Sequence, residues 1–133
     1  MAAHKLCEDS EGELLFISKE CGSGACAATV DVSYPSMPLF LLYNPRLVEA
    51  MMRPIFRYAR SDAWPYPFAP HDAGYYPLLN GQTYGMEMER QMPVEECSNM
   101  LLMTAAAALA SGDISFARKN WDLLEQWCGY LLE

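Results

Sequence analysis

The chain has 133 residues, of which 52% are hydrophobic and 20% are charged, and its formal net charge is −8. This length accommodates one hydrophobic core but not two, and the composition is that of a globular protein. The acidic excess argues against nucleic acid as a partner, because the few cations present could not neutralise a run of phosphates.

The cysteines and histidines indicate little about metal chemistry. Five cysteines, an odd number, leave at least one unpaired within the chain. Cys21 and Cys26 flank a Gly-Ser-Gly turn and would pair in an oxidising compartment, although buried free thiols are the default. With no paired C-x-x-C spacing and only two histidines, we expect no metal and no cofactor.

No targeting signal is visible. A signal peptide is not found, and no apolar run approaches the ~18 residues of a membrane span. Residues 1–8 resemble the end of a helix that the chain enters partway, which suggests a truncated chain or a fragment.

The next segments favour extended structure. Residues 13–19 are short, apolar and rich in β-forming residues, so they predict a strand. Residues 29–34 alternate in polarity and also predict extended backbone, with Pro35 keeping Tyr34 out of helical geometry.

Two helices follow. Ser36 is a suitable N-cap for an apolar helix over 36–43. Asn44-Pro45 is typical of a second helix start, and apolar residues recur at helical spacing from there to residue 60, where Pro54 predicts a kink.

Residues 61–92 are rich in proline, glycine and aromatic residues and show no sustained period. Loops of this length are uncommon in compact domains and are usually functional or disordered. Because aromatic side chains favour packing, we predict an ordered loop over a pocket.

The last third predicts a helical hairpin. Residues 93–110 predict a helix that has Glu95 and Glu96 in its first turn and ends at Ser111-Gly112. Because residues 100–110 are apolar on every face, we expect this helix to be buried all round. Asp113 then caps one further helix. Its predicted core stripe consists of Ala117, Trp121, Leu124, Cys128 and Leu131.

These elements predict an all-α fold of stacked antiparallel helical hairpins, with a short extended N-terminal segment. The chain is a single domain over 1–133, with the loop 61–92 inside it. If the inner helices 36–43 and 93–110 point the same way, their N-terminal ends share one face. Four carboxylates would gather there: Asp31, Asp72, Glu95 and Glu96.

Such a face suits catalysis or charge stabilisation. Helix N-termini favour anionic ligands, and neighbouring buried carboxylates can serve as a general acid and a general base. The simpler interpretation of Glu95 and Glu96 is interaction with the helix dipole, worth about 0.3–1 kcal/mol each. The absence of a G-x-S-x-G elbow, a P-loop and a G-x-G-x-x-G motif leaves carboxylate-activated water, or no catalysis.

Three motifs in one order resemble the glutaminase A family. They are Asp31-Val-Ser-Tyr-Pro-Ser with the following Pro38-Leu-Phe-Leu-Leu-Tyr-Asn-Pro, His71-Asp-Ala-Gly-x-Tyr-Pro, and Met92-Pro-Val-Glu-Glu-x-x-Asn-Met. The resemblance implies that the chain is part of an (α/α)6 toroid related to six-hairpin glycosidases. A toroid needs twelve helices and this chain supplies about four, so we expect self-association or missing segments of a parent chain.

The resemblance also implies an activity, the hydrolysis of the glutamine side-chain amide to glutamate and ammonia. It makes Asp72, Glu95 and Glu96 the catalytic candidates. The implied substrate-binding residues are Asp31, Tyr34, His71, Tyr76 and Asn99. The alternatives are a glycoside hydrolase acting on a sugar, and a non-catalytic helical fragment. By resemblance, the parent would be secreted or part of the cell envelope.

Overall fold

The computed structural model describes residues 4–20 and 24–133. It contains small antiparallel sheets and, among the described residues, five α-helices. In chain order the elements are β1 (His4–Glu8), β2 (Leu14–Ser18), β3 (Cys26–Ala27), α1 (Val30–Tyr43), α2 (Pro45–Ala59), β4 (Gly74–Tyr75), a 3-10 turn (Met88–Arg90), α3 (Pro93–Ser111), α4 (Ser115–Lys119) and α5 (Trp121–Leu132).

The N-terminal segment is a β-hairpin, so the predicted helix end over residues 1–8 is wrong for the described part. β1 pairs antiparallel with β2, with His4 opposite Ser18 and Glu8 opposite Leu14. The Asp9 carboxylate closes the turn by accepting the backbone N–H groups of Glu11 and Glu13, both at 2.8 Å. Pairing with β2, the strand predicted over 13–19, overrides the weak helical preference of β1.

Helix α1 begins at Val30, six residues before the predicted start at Ser36, and the predicted extended backbone over 29–34 is wrong. The helix continues through Pro35 and Pro38. It packs against both α2 and α3, and such tertiary packing routinely overrides local propensity. As a result, Asp31 lies in the first turn of a helix.

Helix α2 follows the prediction closely. Asn44 caps it by accepting the N–H of Arg46 at 3.1 Å, with Pro45 as the first helical residue, and the helix runs through Pro54. Its buried side chains contact α1, α3 and β2.

Helix α3 is confirmed over nearly its predicted span and ends at Gly112, whose φ of 69° is left-handed. The prediction that it is buried all round is wrong, because Leu102 is 52% exposed and Leu109 is 85% exposed. No other element of the described chain covers these two side chains.

The final predicted helix is divided at Asn120 into α4 and α5. Asn120 donates to the Phe116 carbonyl and accepts from Arg60, which fixes the break. The predicted stripe faces the core only in part: Leu124 is buried and Ala117 and Leu131 pack against the core, but Trp121 is 62% exposed and Cys128 is also exposed. Leu123 and Trp127, which lie outside the predicted stripe, also contact the core.

The loop over 61–92 packs on the helices and pairs with the N-terminal half. Trp64 and Phe68 are buried in its first part. Strand β4 pairs with β3, placing Gly74 opposite Ala27. Gly74 has a φ of 119°, and a Cβ there would lie 2.7 Å from the Asn80 nitrogen, so this position requires glycine. The loop segment Ala69–Ala73 is thereby buried beside the start of α1.

Of the two cysteines considered for pairing, Cys21 lies outside the described residues. Cys26 is a buried free thiol. None of the described helices has the length and apolarity needed to cross a membrane.

Candidate functional site

Three segments meet where α1 and α3 begin. Asp31, His71 and Glu96 each contribute a side-chain atom, and these atoms lie within 4.8 Å of one another. Asp31 is the second residue of α1 and Glu96 is the fourth residue of α3, while His71 belongs to the loop between α2 and α3. The segments predicted to meet at the starts of the inner helices therefore do meet, although Glu95, which was predicted to lie with them, is exposed. We call Asp31, His71 and Glu96 the convergent triad.

Two contacts orient the His71 ring. Its Nδ1 lies 2.9 Å from Asp72 Oδ2, and its face stacks on Tyr84 with ring centroids 4.3 Å apart. The His71 backbone donates to the Gln82 side chain at 2.7 Å and accepts the Val30 N–H at 2.9 Å, which joins the loop to α1. Because Asp72 accepts the Nδ1 proton, the lone pair of the neutral ring is on Nε2, 3.8 Å from Asp31 Oδ1.

Asp72 is a fully buried structural acceptor. Besides His71, it accepts the backbone N–H groups of Gly74 and Thr83 at 2.9 Å and of Tyr84 at 3.3 Å. The Thr83 hydroxyl adds a further bond at 3.2 Å. These bonds occupy the lone pairs of the carboxylate, so it orients His71 and fixes the loop.

Glu96, unlike Asp72, is a buried carboxyl group without hydrogen-bond partners among the described residues. It is 1% exposed, and neither carboxylate oxygen accepts a hydrogen bond from a described residue. Burial, followed by the charges of Asp31 and Glu95, raises the pKa of Glu96 to about 9. The Asn99 amide, one turn along α3, opposes this pKa rise only in part, because it makes no hydrogen bond of normal geometry to either oxygen. At neutral pH the Glu96 carboxyl carries a proton.

Asp31 lies between Glu96 and the solvent. Its side chain is 34% exposed, yet Oδ1 is buried and has no hydrogen-bond partner in the described chain. A half-exposed carboxyl group therefore adjoins a buried one whose pKa is raised to about 9, and such a difference in environment can separate a base from an acid.

An open cleft of about 500 Å³ lies over Asp31 and His71. Glu96 does not line it and lies behind these two residues. The other lining residues are Glu20, Gly24, Cys26, Thr83, Tyr84, Arg90 and Met92. Arg90, 65% exposed, supplies a cationic side chain to the cleft wall.

Cys26 forms a second group with His71 and Asp72, again within 4.8 Å. Its Sγ lies 2.9 Å from the Thr83 hydroxyl. Burial raises the pKa of the Cys26 thiol, whereas a nucleophilic cysteine needs a lowered pKa. The geometry therefore does not provide an activated thiolate.

The other sequence candidates are not part of the convergent triad. Glu95 is exposed on the outer side of α3. Tyr34 packs against the hydrophobic core, and Tyr76 lies 5.8 Å beneath the Lys19 ammonium group. Asn99 is 7% exposed and lies beside Glu96. Their functional roles stay predictions.

Sequence reasoning missed several residues of the cleft, including Thr83, Tyr84 and Arg90. They follow Asp72 by 11 to 18 positions in a segment without periodicity. The only available signal was the aromatic content of the loop, which does not distinguish the ring stacked on His71 from those packed on the core.

Comparison with known proteins gives a consistent assignment. Residues 1–133 match the family described as the Glutaminase A six helical-hairpin domain. Glutaminase A of Aspergillus oryzae is 35% identical over 99% of this chain, which covers 19% of that protein. A protein of Arthroderma benhamiae named "Probable glutaminase" is 39% identical over 71% of the chain, covering 11% of that protein.

The chain thus spans at most about a fifth of the length of these curated relatives. No solved structure is significantly similar to it. Since the match extends from the first residue to the last, the chain belongs to the glutaminase A six helical-hairpin family.

Proposed function

We propose that the protein hydrolyses the side-chain amide of glutamine to glutamate and ammonia, and that the convergent triad is its reaction centre. The observation that carries the proposal is the convergence of Asp31, His71 and Glu96, of which Asp31 and His71 line a cleft and Glu96 lies behind them. Asp31 Oδ1 and both Glu96 oxygens accept no hydrogen bond from a described residue. The relatives named glutaminase supply the substrate class.

His71 is the general base in this mechanism. A water molecule on the cleft side of His71 attacks the amide carbon while Nε2 takes its proton. The imidazolium that forms lies between Asp31, 3.8 Å from Nε2, and Asp72, 2.9 Å from Nδ1. Asp72 is a positioning residue, because it acts through His71.

Glu96 is the proton reservoir. Since it lies behind the cleft, its proton reaches the departing amide nitrogen through Asp31, which lines the cleft. With that proton the amide nitrogen leaves as NH3 when the C–N bond breaks. The new carboxylic acid then gives its remaining water-derived proton to the ammonia, so that glutamate and ammonium are released. Transfer of the His71 proton back to the Asp31–Glu96 pair restores the starting state.

Arg90 matches the other end of the substrate. Glutamine carries an α-carboxylate several bonds from its amide, and a guanidinium binds a carboxylate well. The position of Arg90 in the cleft wall makes it the proposed anchor for that group.

The test is ammonia release from L-glutamine by the protein and three variants. Asp31→Asn and His71→Asn should each lower kcat by about 10²–10⁴-fold. Glu96→Gln should lower kcat and remove the alkaline limb of the pH profile. Its exposed neighbour Glu95→Gln, the matched control, should leave kcat at neutral pH unchanged and keep the alkaline limb, displaced to lower pH because the charge of Glu95 helps raise the pKa of Glu96. Equal activity of Glu96→Gln and Glu95→Gln would overturn the role of Glu96. If the protein released sugar from aryl glycosides and no ammonia from glutamine, the proposed amide hydrolysis would be wrong and glycoside hydrolysis would be the function.

We also propose that the hairpins form part of an (α/α)6 toroid. A groove between α3 and α5 is lined mainly by apolar residues, among them Leu101, Ala105, Trp121 and Leu132. Such a face favours association with further hairpins or a second copy. Sedimentation of the protein tests this, since a compact monomer leaves no role for the second copy.

A further inference from the structure

The convergent triad has the donor set of a metal site, although the scarcity of histidine argued against one. Two carboxylates and one imidazole nitrogen lie within 4.8 Å. We propose that Asp31, His71 and Glu96 bind a first-row divalent cation, with Zn²⁺ the best match, and that the bound ion competes with the water-activating role of His71.

The first support is the pattern of unpartnered lone pairs. Both Glu96 oxygens and Asp31 Oδ1 are buried and accept no hydrogen bond from a described residue. Buried polar atoms are normally paired, and an ion is one of the explanations for exceptions. Here the unpartnered oxygens of Asp31 and Glu96 belong to the two side chains that converge with His71.

The second line of support is the hydrogen bond that orients the His71 imidazole. Metal-binding histidines usually donate the other ring N–H to a carboxylate, which fixes the tautomer. His71 Nδ1 does this to Asp72 Oδ2 at 2.9 Å, leaving Nε2 to face the triad. Asp72 in turn is held by backbone N–H groups of the loop, so the ring is oriented before any ion binds.

The distances suit a small cation after slight adjustment. Zn²⁺ binds nitrogen and oxygen at about 2.0–2.2 Å, which places neighbouring ligands about 3.4 Å apart. His71 Nε2 and Asp31 Oδ1 are 3.8 Å apart, and the half-exposed Asp31 side chain has room to approach. Glu96 gives up its proton to solvent when it binds, as a carboxylate ligand must. The two carboxylate charges then balance the charge of the ion.

The donor chemistry selects the class of ion. An imidazole with two carboxylates suits Zn²⁺ better than Mg²⁺ or Ca²⁺, which prefer oxygen alone. Three protein ligands also leave a position open on the cleft side. A bound ion takes the Nε2 lone pair that the proposed hydrolysis needs, so Zn²⁺ should inhibit. Only this consequence rests on the proposed function.

The experiment is calorimetric titration of the protein with Zn²⁺ in the absence of glutamine. Cys7, Cys21 and Cys128 are replaced by serine so that other thiols do not bind the ion. One ion per chain should bind, and Asp31→Asn and Glu96→Gln should each weaken the affinity at least about tenfold. Glu95→Gln is the matched control and should leave the affinity unchanged.

Cys26→Ser separates the triad from the neighbouring Cys26 group. The Zn²⁺ affinity of Cys26→Ser should equal that of the background that retains Cys26. Co²⁺ bound to that background should give visible bands without a thiolate charge-transfer band. Loss of binding in Cys26→Ser, or that charge-transfer band, would overturn the proposal. So would unchanged affinity in both carboxylate variants; circular dichroism verifies that every variant is folded.

Activity is measured separately. Glutamine hydrolysis should fall over the Zn²⁺ concentrations at which the ion binds and return with a chelator. Activation by Zn²⁺ would overturn the competitive role of the ion. A protein that binds Zn²⁺ without hydrolysing glutamine would refute the proposed function and leave the metal site standing.

Discussion

Two clusters of charged side chains in this molecule are built in opposite ways. On the surface, the Glu13 carboxylate lies 2.7 Å from Arg57 and 2.6 Å from Lys119, and Arg57 also pairs with Asp9. These cations lower the pKa of Glu13. In the convergent triad the carboxylate of Glu96 has no such partner among the described residues, and its pKa is raised.

The difference separates charges that hold the fold from charges kept for another use. The surface cluster joins the β-hairpin to α2 and α4, and its acids and cations satisfy each other. The triad leaves buried acceptors open, which costs stability and is retained where a ligand, a proton or an ion uses them. Three changes can break or sharpen this contrast.

The largest expected effect is that of Asp72→Asn. An asparagine amide would donate to His71 Nδ1 and place the proton of the ring on Nε2, the wrong tautomer for a base. We expect kcat for glutamine to fall by about 10³–10⁴-fold. Asp9→Asn, which alters another turn carboxylate, should leave kcat unchanged. A pH–rate profile of Asp72→Asn equal to the wild-type profile would contradict the orienting role.

The next effect concerns stability and Glu96. Its folded pKa of about 9 lies above the ordinary value of 4.5, because burial and the charges of Asp31, Glu95 and Asp72 disfavour ionisation beside His71. The folded state therefore holds a proton that the unfolded state releases, and stability is lost as pH rises from about 4.5 to 9. Glu96→Gln should raise the free energy of unfolding by roughly 2–4 kcal/mol at pH 8 and have little effect at pH 4.

Urea denaturation of metal-free protein in a chelator measures this difference. A Glu96→Gln variant that is destabilised equally at both pH values would show that the carboxylate has a structural partner.

The smallest effect is that of Glu13→Gln, and its pH dependence has the opposite sign. The pKa of Glu13 is lowered by hydrogen bonds from Lys119 and Arg57, so its contribution is present above about pH 4.5 and is lost as pH falls through the lowered folded value. Because the group is largely solvated, the loss at pH 7 should be below about 1 kcal/mol and should shrink with added salt. A loss that does not change between low and high salt would contradict an ionic origin.

The sequence predicted the helices well where the pattern was long and capped. Asn44-Pro45 located the start of α2 and Ser111-Gly112 the end of α3, because caps and periodicity act locally. It failed at α1, where packing overrides Pro35, and at residues 4–8, where a partner strand decides the structure. The apolar stripe through Trp121 and Cys128 was a real stripe, but periodicity does not say whether anything covers it.

For the site, the sequence predicted which segments would meet but not the roles within them. Glu95 and Glu96 are adjacent and identical in type, yet one faces solvent and the other the interior. That distinction depends on the rotation of α3 about its axis, which packing sets. The hydrogen bonds that fix Asp72 come from backbone groups 2 to 12 residues away, whose positions depend on the folded loop.

The bond between the Val30 N–H and the His71 carbonyl has a consequence for how the site forms in time. Asp31, His71 and Glu96 are about 40 and about 25 residues apart in sequence, and no local turn brings any two together. Contacts of such separation form late, after the chain has closed large loops. Helices α2 and α3 can therefore form before the convergent triad is assembled, because the triad also requires the loop that carries His71.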